Sequence, residues 1–259
     1  MNNIEAHYLL FKGQRIYYST TGSGDPLLLL HGYQADSRIW QYIVPLLTNK
    51  YKLIIPDLPG HGKSPLIQPV NSMEFLAEVV YRIYLTLGVK GISIAGHSMG
   101  GYVALAFTEK NKNLVDNLYL INSHPFADSM NKILARNREA EFIEQGKKQL
   151  LLRSFLQNSF FEPDKNKIKQ KVDFATKIAI TQPDKGMLAD LAGMMARHDK
   201  TDVISKSRVN TKIIVTQDEA EFMGLDYLNK KRGSVYIIKS CGHLSIIEKP
   251  DEVYDAIIR

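Results

Sequence analysis

The chain has 259 residues, 44% of them apolar, which is enough for one large α/β core and makes a single domain the default. Its formal charge is +6, but 33 basic residues are interspersed with 27 acidic ones and no aromatic-interleaved basic patch occurs, so the charge reads as solubility and no nucleic-acid partner is expected. A single cysteine, Cys241, excludes an intramolecular disulfide framework, no apolar run nears the roughly 20 residues of a membrane span, and MNNIEAHYLLFKGQRIYY lacks the basic start and apolar stretch of a secretory signal, so a cytoplasmic location is expected.

The N-terminal HYLLFKGQRIYYSTTG reads as two β-like runs hinged at Gly13, and the turn cluster GSGDP leads into a buried strand, LLLLHG. DSRIWQYIVPLLTNKY has apolar residues at helical spacing, and KLIIPDLPGHGKS is a strand ending in a Gly/Pro loop. A predicted helix, MEFLAEVVYRIYLTLG, precedes the strand GISIAG, the helix GGYVALAFTEKN and the strand VDNLYLIN. Strands alternating with helices imply a doubly wound, mostly parallel sheet. The alternation stops after Asn122. LARNREAEFIEQGKKQLLLRSFLQ, KIKQKVDFATKIAITQ and GMLADLAGMMARH read as helices without intervening strands, so residues 124–202 are expected to form an inserted helical lid between two parts of one core, 1–123 and 203–259. TKIIVTQ and GSVYIIKS resume the strand pattern, and EVYDAIIR closes as a helix. The lid carries 14 Lys/Arg against 11 Asp/Glu, a mild excess that reads as a solvated helix surface.

Three stretches carry chemistry. ISIAGHSMGG sets Gly96-His97-Ser98-Met99-Gly100 between a predicted strand and a predicted helix, the context in which G-x-S-x-G forms a tight elbow that projects a serine hydroxyl over the sheet. There the Met99 amide, at a helix N-terminus, is a donor for a developing oxyanion. LLLLHGYQ ends the first buried strand at His31-Gly32 and offers the Tyr33 amide as a second donor. SCGHLSIIEKP holds His243 after a strand and before the last helix, and serine early with histidine late is the order this chemistry takes. A serine hydroxyl is a weak nucleophile until an imidazole accepts its proton, and the imidazole needs a third group to fix its tautomer.

On LLLLHGY, PDLPGHGKS, IAGHSMGGYVAL and CGHLSIIEKP the sequence resembles the α/β-hydrolase family, in its lidded serine-hydrolase, carboxylesterase-like branch. The matching stretches lie in residues 25–122 and from about 205 onward. The resemblance implies Ser98 as nucleophile, His243 as general base, the Tyr33 and Met99 amides as oxyanion hole, no cofactor, and hydrolysis of esters, thioesters, amides or related bonds. Ser98 sets the chain apart from the haloalkane dehalogenase and epoxide hydrolase branches, which use aspartate there.

At the third group the sequence departs from the family's pattern. Family members place it after the next-to-last strand, and their pattern, laid from Ile213, puts Gln217 at the expected glycine and Ala220 at the expected acid. Three carboxylates surround that alanine in IIVTQDEAEF: Asp218, Glu219 and Glu221. A small loop shift would bring in Glu221, favoured for its reach, or Asp218. Two further readings are Asn122 as an amide that orients the histidine, and a triad without an acid, which would leave a catalytically weak ligand-binding protein.

Other polar residues are read as structural. Asp57 and His61 belong to a loop, His97 points away from the serine beside it, and His124 and His198 mark the ends of the lid. The seven histidines show no metal-ligand spacing, so no metal is expected. Met187, Met194, Met195, Phe155, Phe160 and Phe161 are core by default and candidates for an acyl pocket. The expected substrate is a small ester or thioester; an acidic carrier protein docking on the lysines of DKNKIKQK (Lys165, Lys167, Lys169, Lys171) is a weaker alternative.

Overall fold

A computed structural model describes residues 4–164, 166–224 and 233–259; Lys165 lies outside them. The chain builds an eight-stranded sheet in the order β1-β2-β4-β3-β5-β6-β7-β8. β1 (Glu5–Phe11) and β2 (Gln14–Thr21) form an antiparallel hairpin turning at Lys12 and Gly13, both at positive φ. β2 also runs antiparallel to β4 (Tyr51–Pro56), and from there the sheet is parallel: β3 (Asp25–Leu30), β5 (Ile92–His97), β6 (Val115–Ile121), β7 (Asn210–Thr216) and β8 (Gly233–Ile238). Strands covered on both faces need apolar residues throughout. Leu27 to Leu30 of β3 and every residue of β5 are buried accordingly.

The chain steps from β3 outward to β4, then back across to β5 on the other side of β3. Loops leaving β3 and β5 therefore diverge, opening a crevice at the carboxyl ends of these strands, where ligands bind in such sheets. Both the His31–Gln34 turn and Ser98 emerge there.

α2 (Met73–Leu87) starts at Ser72, whose Oγ accepts from the Phe75 amide, and stops at Gly88 in the left-handed conformation. α3 (Met99–Asn111) is buried from Met99 through Thr108, as its apolar composition on every side requires. The segment read as helical from Asp36 to Tyr51 is instead two short turns, a 3-10 helix at Ser37–Trp40 and α1 at Val44–Leu47. Pro45 explains the break, because it has no N–H for the Gln41 carbonyl and its ring crowds that carbonyl.

Among the described residues five helices stand between β6 and β7: α4 (Met130–Glu144), α5 (Lys148–Asn158), α6 (Lys169–Ile180), α7 (Asp184–Met195) and α8 (Thr201–Lys206). The run 134–157, read as one helical stretch, divides at Gly146, whose φ of 71° ends α4. α9 (Gln217–Met223) follows β7 without a loop, and α10 (Ser245–Glu248) and α11 (Pro250–Ile258) complete the fold.

Buried polar contacts bind the helical insertion to the core. Gln182 Nε2 donates to Asp36 Oδ2 at 2.8 Å, His61 Nε2 lies 2.7 Å from Asp190 Oδ2, and Asn71 Nδ2 donates to Asp190 Oδ1 at 2.8 Å. Burial opposes a charge on His61, yet the Asp190 carboxylate outweighs it and raises the imidazole above its ordinary pKa. A second seam runs beside His243. The Glu248 carboxylate accepts the amides of Gly242 (2.7 Å), Phe161 (3.0 Å) and Glu162 (3.0 Å), and the Leu244 amide donates to Ser159 O at 3.1 Å.

Candidate active site

Ser98 sits at the junction of β5 and α3 with φ 52° and ψ −118°, a strained backbone for a residue with a side chain. The glycines flanking it make that turn possible. A Cβ on Gly96 would collide with the Gly100 carbonyl, and one on Gly100 with the Leu30 and His31 carbonyls. The elbow thus packs directly onto the end of β3.

The serine hydroxyl projects to His243: Oγ and Nε2 are 3.0 Å apart. On the far side of the ring, His243 Nδ1 lies 2.7 Å from Glu219 Oε1. A carboxylate at the other ring nitrogen fixes the tautomer with the proton on Nδ1, which leaves Nε2 as the acceptor facing Ser98. The acid on the histidine is therefore Glu219, and neither Glu221 nor Asp218. Both of those are exposed, and Glu221 Oε1 accepts from Gln217 Nε2 at 3.3 Å on the helix surface.

Local helix chemistry explains the difference. β7 passes straight into α9 with Thr216 as N-cap, and T-x-x-E is a capping box: Thr216 Oγ1 accepts the Glu219 amide, while Glu219 Oε2 accepts the Thr216 amide at 3.0 Å. Reaching back over the first turn aims the Glu219 carboxylate past the sheet edge, and its free oxygen meets His243. Ala220, at the position where the family pattern expects the acid, is instead buried beneath the helix.

Asn122 was a candidate for orienting the histidine directly. It sits one step away, donating Nδ2 to Glu219 Oε2 at 2.7 Å and accepting from the Ser245 hydroxyl on Oδ1. Burial would raise the Glu219 pKa, but His243, the Thr216 amide and the Asn122 amide hold it below the ordinary carboxylate range. The carboxylate stays ionised where it faces the imidazole.

Two backbone segments lie beside Ser98. Met99 is the first residue of α3, and first-turn N–H groups have no intrahelical acceptor. Tyr33 follows Gly32, whose hydrogen-side face lies against the elbow: a Cβ built there would come within 3.1 Å of Ser98 Cβ and of the His97 carbonyl.

Above these groups lies a cavity of about 760 Å³, with Ser98, Glu219 and His243 in its floor. Apolar walls come from Phe126, Phe155 and Met194, and a polar stretch comes from Asp128, Lys132 and Arg136. Of the candidate pocket residues, Phe155 and Met194 reach it, whereas Met187 is fully buried in the core and Phe161 is exposed.

The family model of the alpha/beta hydrolase fold matches residues 25–175, more than half of the sequence. The chain belongs to the α/β-hydrolase family. Among solved structures, this α/β hydrolase superposes on a thermophilic esterase from Thermogutta terrifontis with a TM-score of 0.88 at 26% identity, covering 98% of this chain and 96% of that one. It is 25% identical over 256 residues to the 2-hydroxy-6-oxo-6-(2'-aminophenyl)hexa-2,4-dienoic acid hydrolase of Metapseudomonas resinovorans, 95% of this chain and 87% of that protein. A soluble epoxide hydrolase from Corynebacterium sp. (strain C12) is 34% identical over 122 residues, spanning 47% of this chain and only 43% of that relative. Hydrolases of this fold, esterases among them, are thus its relatives.

Two further histidines of this α/β hydrolase, His31 and His97, brace the site. His31 donates from Nδ1 to the Gly32 carbonyl and accepts the Leu58 amide on Nε2, both at 2.9 Å, which shapes the turn carrying Tyr33. His97 Nε2 donates to the His243 carbonyl at 2.9 Å, anchoring the loop of the general-base candidate from below. Burial, helped by the nearby His243, lowers the His97 pKa to about 3. Asp57 accepts the Ser37 and Lys63 amides at 2.8 Å and is a loop brace. His124 lines the cavity, bonded to Tyr102, while His198 is exposed. Burial pushes the Cys241 thiol up, away from reactivity. Among the described residues no cluster of His, Cys, Asp or Glu has the form of a metal site, and no helix is long and apolar enough to cross a membrane.

Proposed function

We propose that the chain is a serine hydrolase that cleaves a small carboxylic ester or thioester through an acyl-enzyme on Ser98. The observation that carries this reading is the continuous chain of contacts Ser98 Oγ, His243 Nε2, His243 Nδ1, Glu219 Oε1, at 3.0 and 2.7 Å. Ser98 attacks the carbonyl as His243 Nε2 takes the hydroxyl proton, and the charge on the tetrahedral oxygen falls to the Tyr33 and Met99 amides. Collapse returns the proton from His243 to the leaving oxygen or sulfur and leaves the acyl group on Ser98. Water, deprotonated by the same imidazole, then releases the acid and restores the serine. Glu219 holds the ring in the tautomer both half-reactions need and stabilises the imidazolium between them.

In this reading the helical insertion is a lid that shapes the cavity, and the protein works in the cytoplasm without cofactor. The weak-binding-protein alternative rested on Ala220, and Glu219 removes its motive. Docking of an acidic carrier protein rests on the lysines near residue 169 and on a likeness, 34% identical over 111 residues, to a pimeloyl-[acyl-carrier protein] methyl ester esterase of Sodalis glossinidius.

Intact mass after a fluorophosphonate probe, beside Ser98→Ala and a p-nitrophenyl ester panel, tests the proposal. One adduct, absent in the variant and accompanied by ester turnover, is expected. A folded protein with neither adduct nor turnover would overturn it.

A further inference from the structure

This inference rests on the hydrolase reading and concerns the substrate of the same site. α4 turns two cations, Lys132 and Arg136, toward the cavity one helical turn apart. Like charges at i and i+4 destabilise a helix, and a local conflict of that kind is expected where function demands it. Their surroundings do not resolve it. Arg136 Nε donates to Asp128 Oδ2 at 2.6 Å, but Asp128 also holds Arg197, whose Nη1 is 2.8 Å from Oδ1. One carboxylate thus serves two guanidinium groups. Glu139 lines the same wall without an ion pair among the described residues, and burial, its main influence, raises its pKa. The Lys132 ammonium has no hydrogen bond or ion pair among the described residues, and desolvation and the Arg136 charge both lower its pKa.

Three cations, Lys132, Arg136 and Arg197, therefore face two carboxylates, Asp128 and Glu139. Lys132 is exposed to the cavity and Arg136 shares its carboxylate, so an anion in the cavity relieves the crowding of like charge between them. We propose that the Lys132 and Arg136 wall binds a carboxylate carried by the substrate away from the scissile carbonyl, so that monoanionic esters are the preferred class. The unpaired excess of about one charge matches a carboxylate better than a dianionic phosphate. Such a contact discriminates substrates by orientation and by attraction, since the reward is lost when the partner charge is missing.

Two matched pairs test this by the ratio of kcat/KM values. One carries the charge on the acyl side (mono-p-nitrophenyl glutarate against p-nitrophenyl valerate), the other on the leaving group (4-carboxyphenyl butyrate against phenyl butyrate). The anionic member should win by about tenfold in one pair, Lys132→Gln should erase the preference, and Lys132→Glu should reverse it. Arg136→Lys should keep it and Arg136→Gln lose it, while Arg138→Gln, on the outer face of the same helix, should leave the ratio alone. No preference in either pair, or one that survives Lys132→Gln and Arg136→Gln, overturns the proposal. Calorimetry of Ser98→Ala with glutarate and with valerate separates the two levels. Lys132-dependent glutarate binding without turnover of any ester would sink the hydrolase reading and keep the subsite, whereas ester turnover with no preference in either pair would do the reverse.

Discussion

Replacing Glu219 by glutamine changes one atom and tests the core of the site. In the native protein three donors converge on two oxygens: His243 Nδ1–H on Oε1, and the Asn122 and Thr216 N–H groups on Oε2. A glutamine has one acceptor oxygen. Satisfying two of the three donors means turning that oxygen to Asn122 and Thr216, which presents the new NH2 to His243 Nδ1. Nδ1 must then accept, the ring proton moves to Nε2, and the serine faces a donor instead of a base. A wrong tautomer of this kind costs about 10⁴ in turnover, or about 5 kcal/mol of transition-state stabilisation. The capping contact to the Thr216 amide survives, so stability should fall by no more than about 1 kcal/mol. The assay is kcat/KM on a p-nitrophenyl ester, with thermal unfolding as the check on folding, beside Glu221→Gln and Asp218→Asn. Turnover in Glu219→Gln within tenfold of the native protein, or an equal loss in either neighbour, would refute the assignment.

Asn122→Asp sets a second carboxylate against Glu219 Oε2, and like charge raises a carboxylate's pKa, so the acidic limb of the pH profile of kcat/KM should move to higher pH. Gly100→Ala drives a methyl into the Leu30 and His31 carbonyls, neither of which can move, and should cost about 3 kcal/mol or more in urea unfolding. Folding depresses the His97 pKa from 6.5 to about 3, so the neutral ring's contribution is complete above pH 6.5 and is lost as the pH falls from there toward 3. His97→Gln keeps a donor for the His243 carbonyl and should flatten the stability-against-pH slope between pH 6 and 4 by about 1.4 kcal/mol per unit, seen in urea titrations at stepped pH.

Much of this architecture is written in local sequence. Gly/Pro clusters and unbroken apolar runs such as LLLL mark strands buried on both faces, and G-x-S-x-G needs only its neighbours to make its turn. What depends on where one element meets the next is harder to read. Apolar spacing from Ile39 to Leu47 looks helical, and only Pro45 says that the helix cannot run through. Spacing from the strand misplaced the acid because family patterns count through a loop, and here β7 runs directly into α9. The signal was present in TQDE, a capping box that marks Glu219 as the carboxylate bent back toward the sheet. No single-residue property separates Glu219 from Glu221; its helix position does. The charge conflict on α4 was similarly invisible, since which helix face meets the cavity is a tertiary fact.

The three amides gathered by Glu248 join residues 161 and 162 of the insertion to Gly242, next to His243. Anyone exchanging the helical segment for that of a relative, in order to change what the cavity accepts, inherits this joint. A graft cut only where the chain leaves and re-enters the sheet would leave the Glu248 carboxylate without two of its donors, and that carboxylate also holds the amide next to His243. Chimeras that keep the native turn around residues 159–162 should stay active, and those that replace it should suffer in turnover before they suffer in fold. Modularity in this protein ends at Glu248.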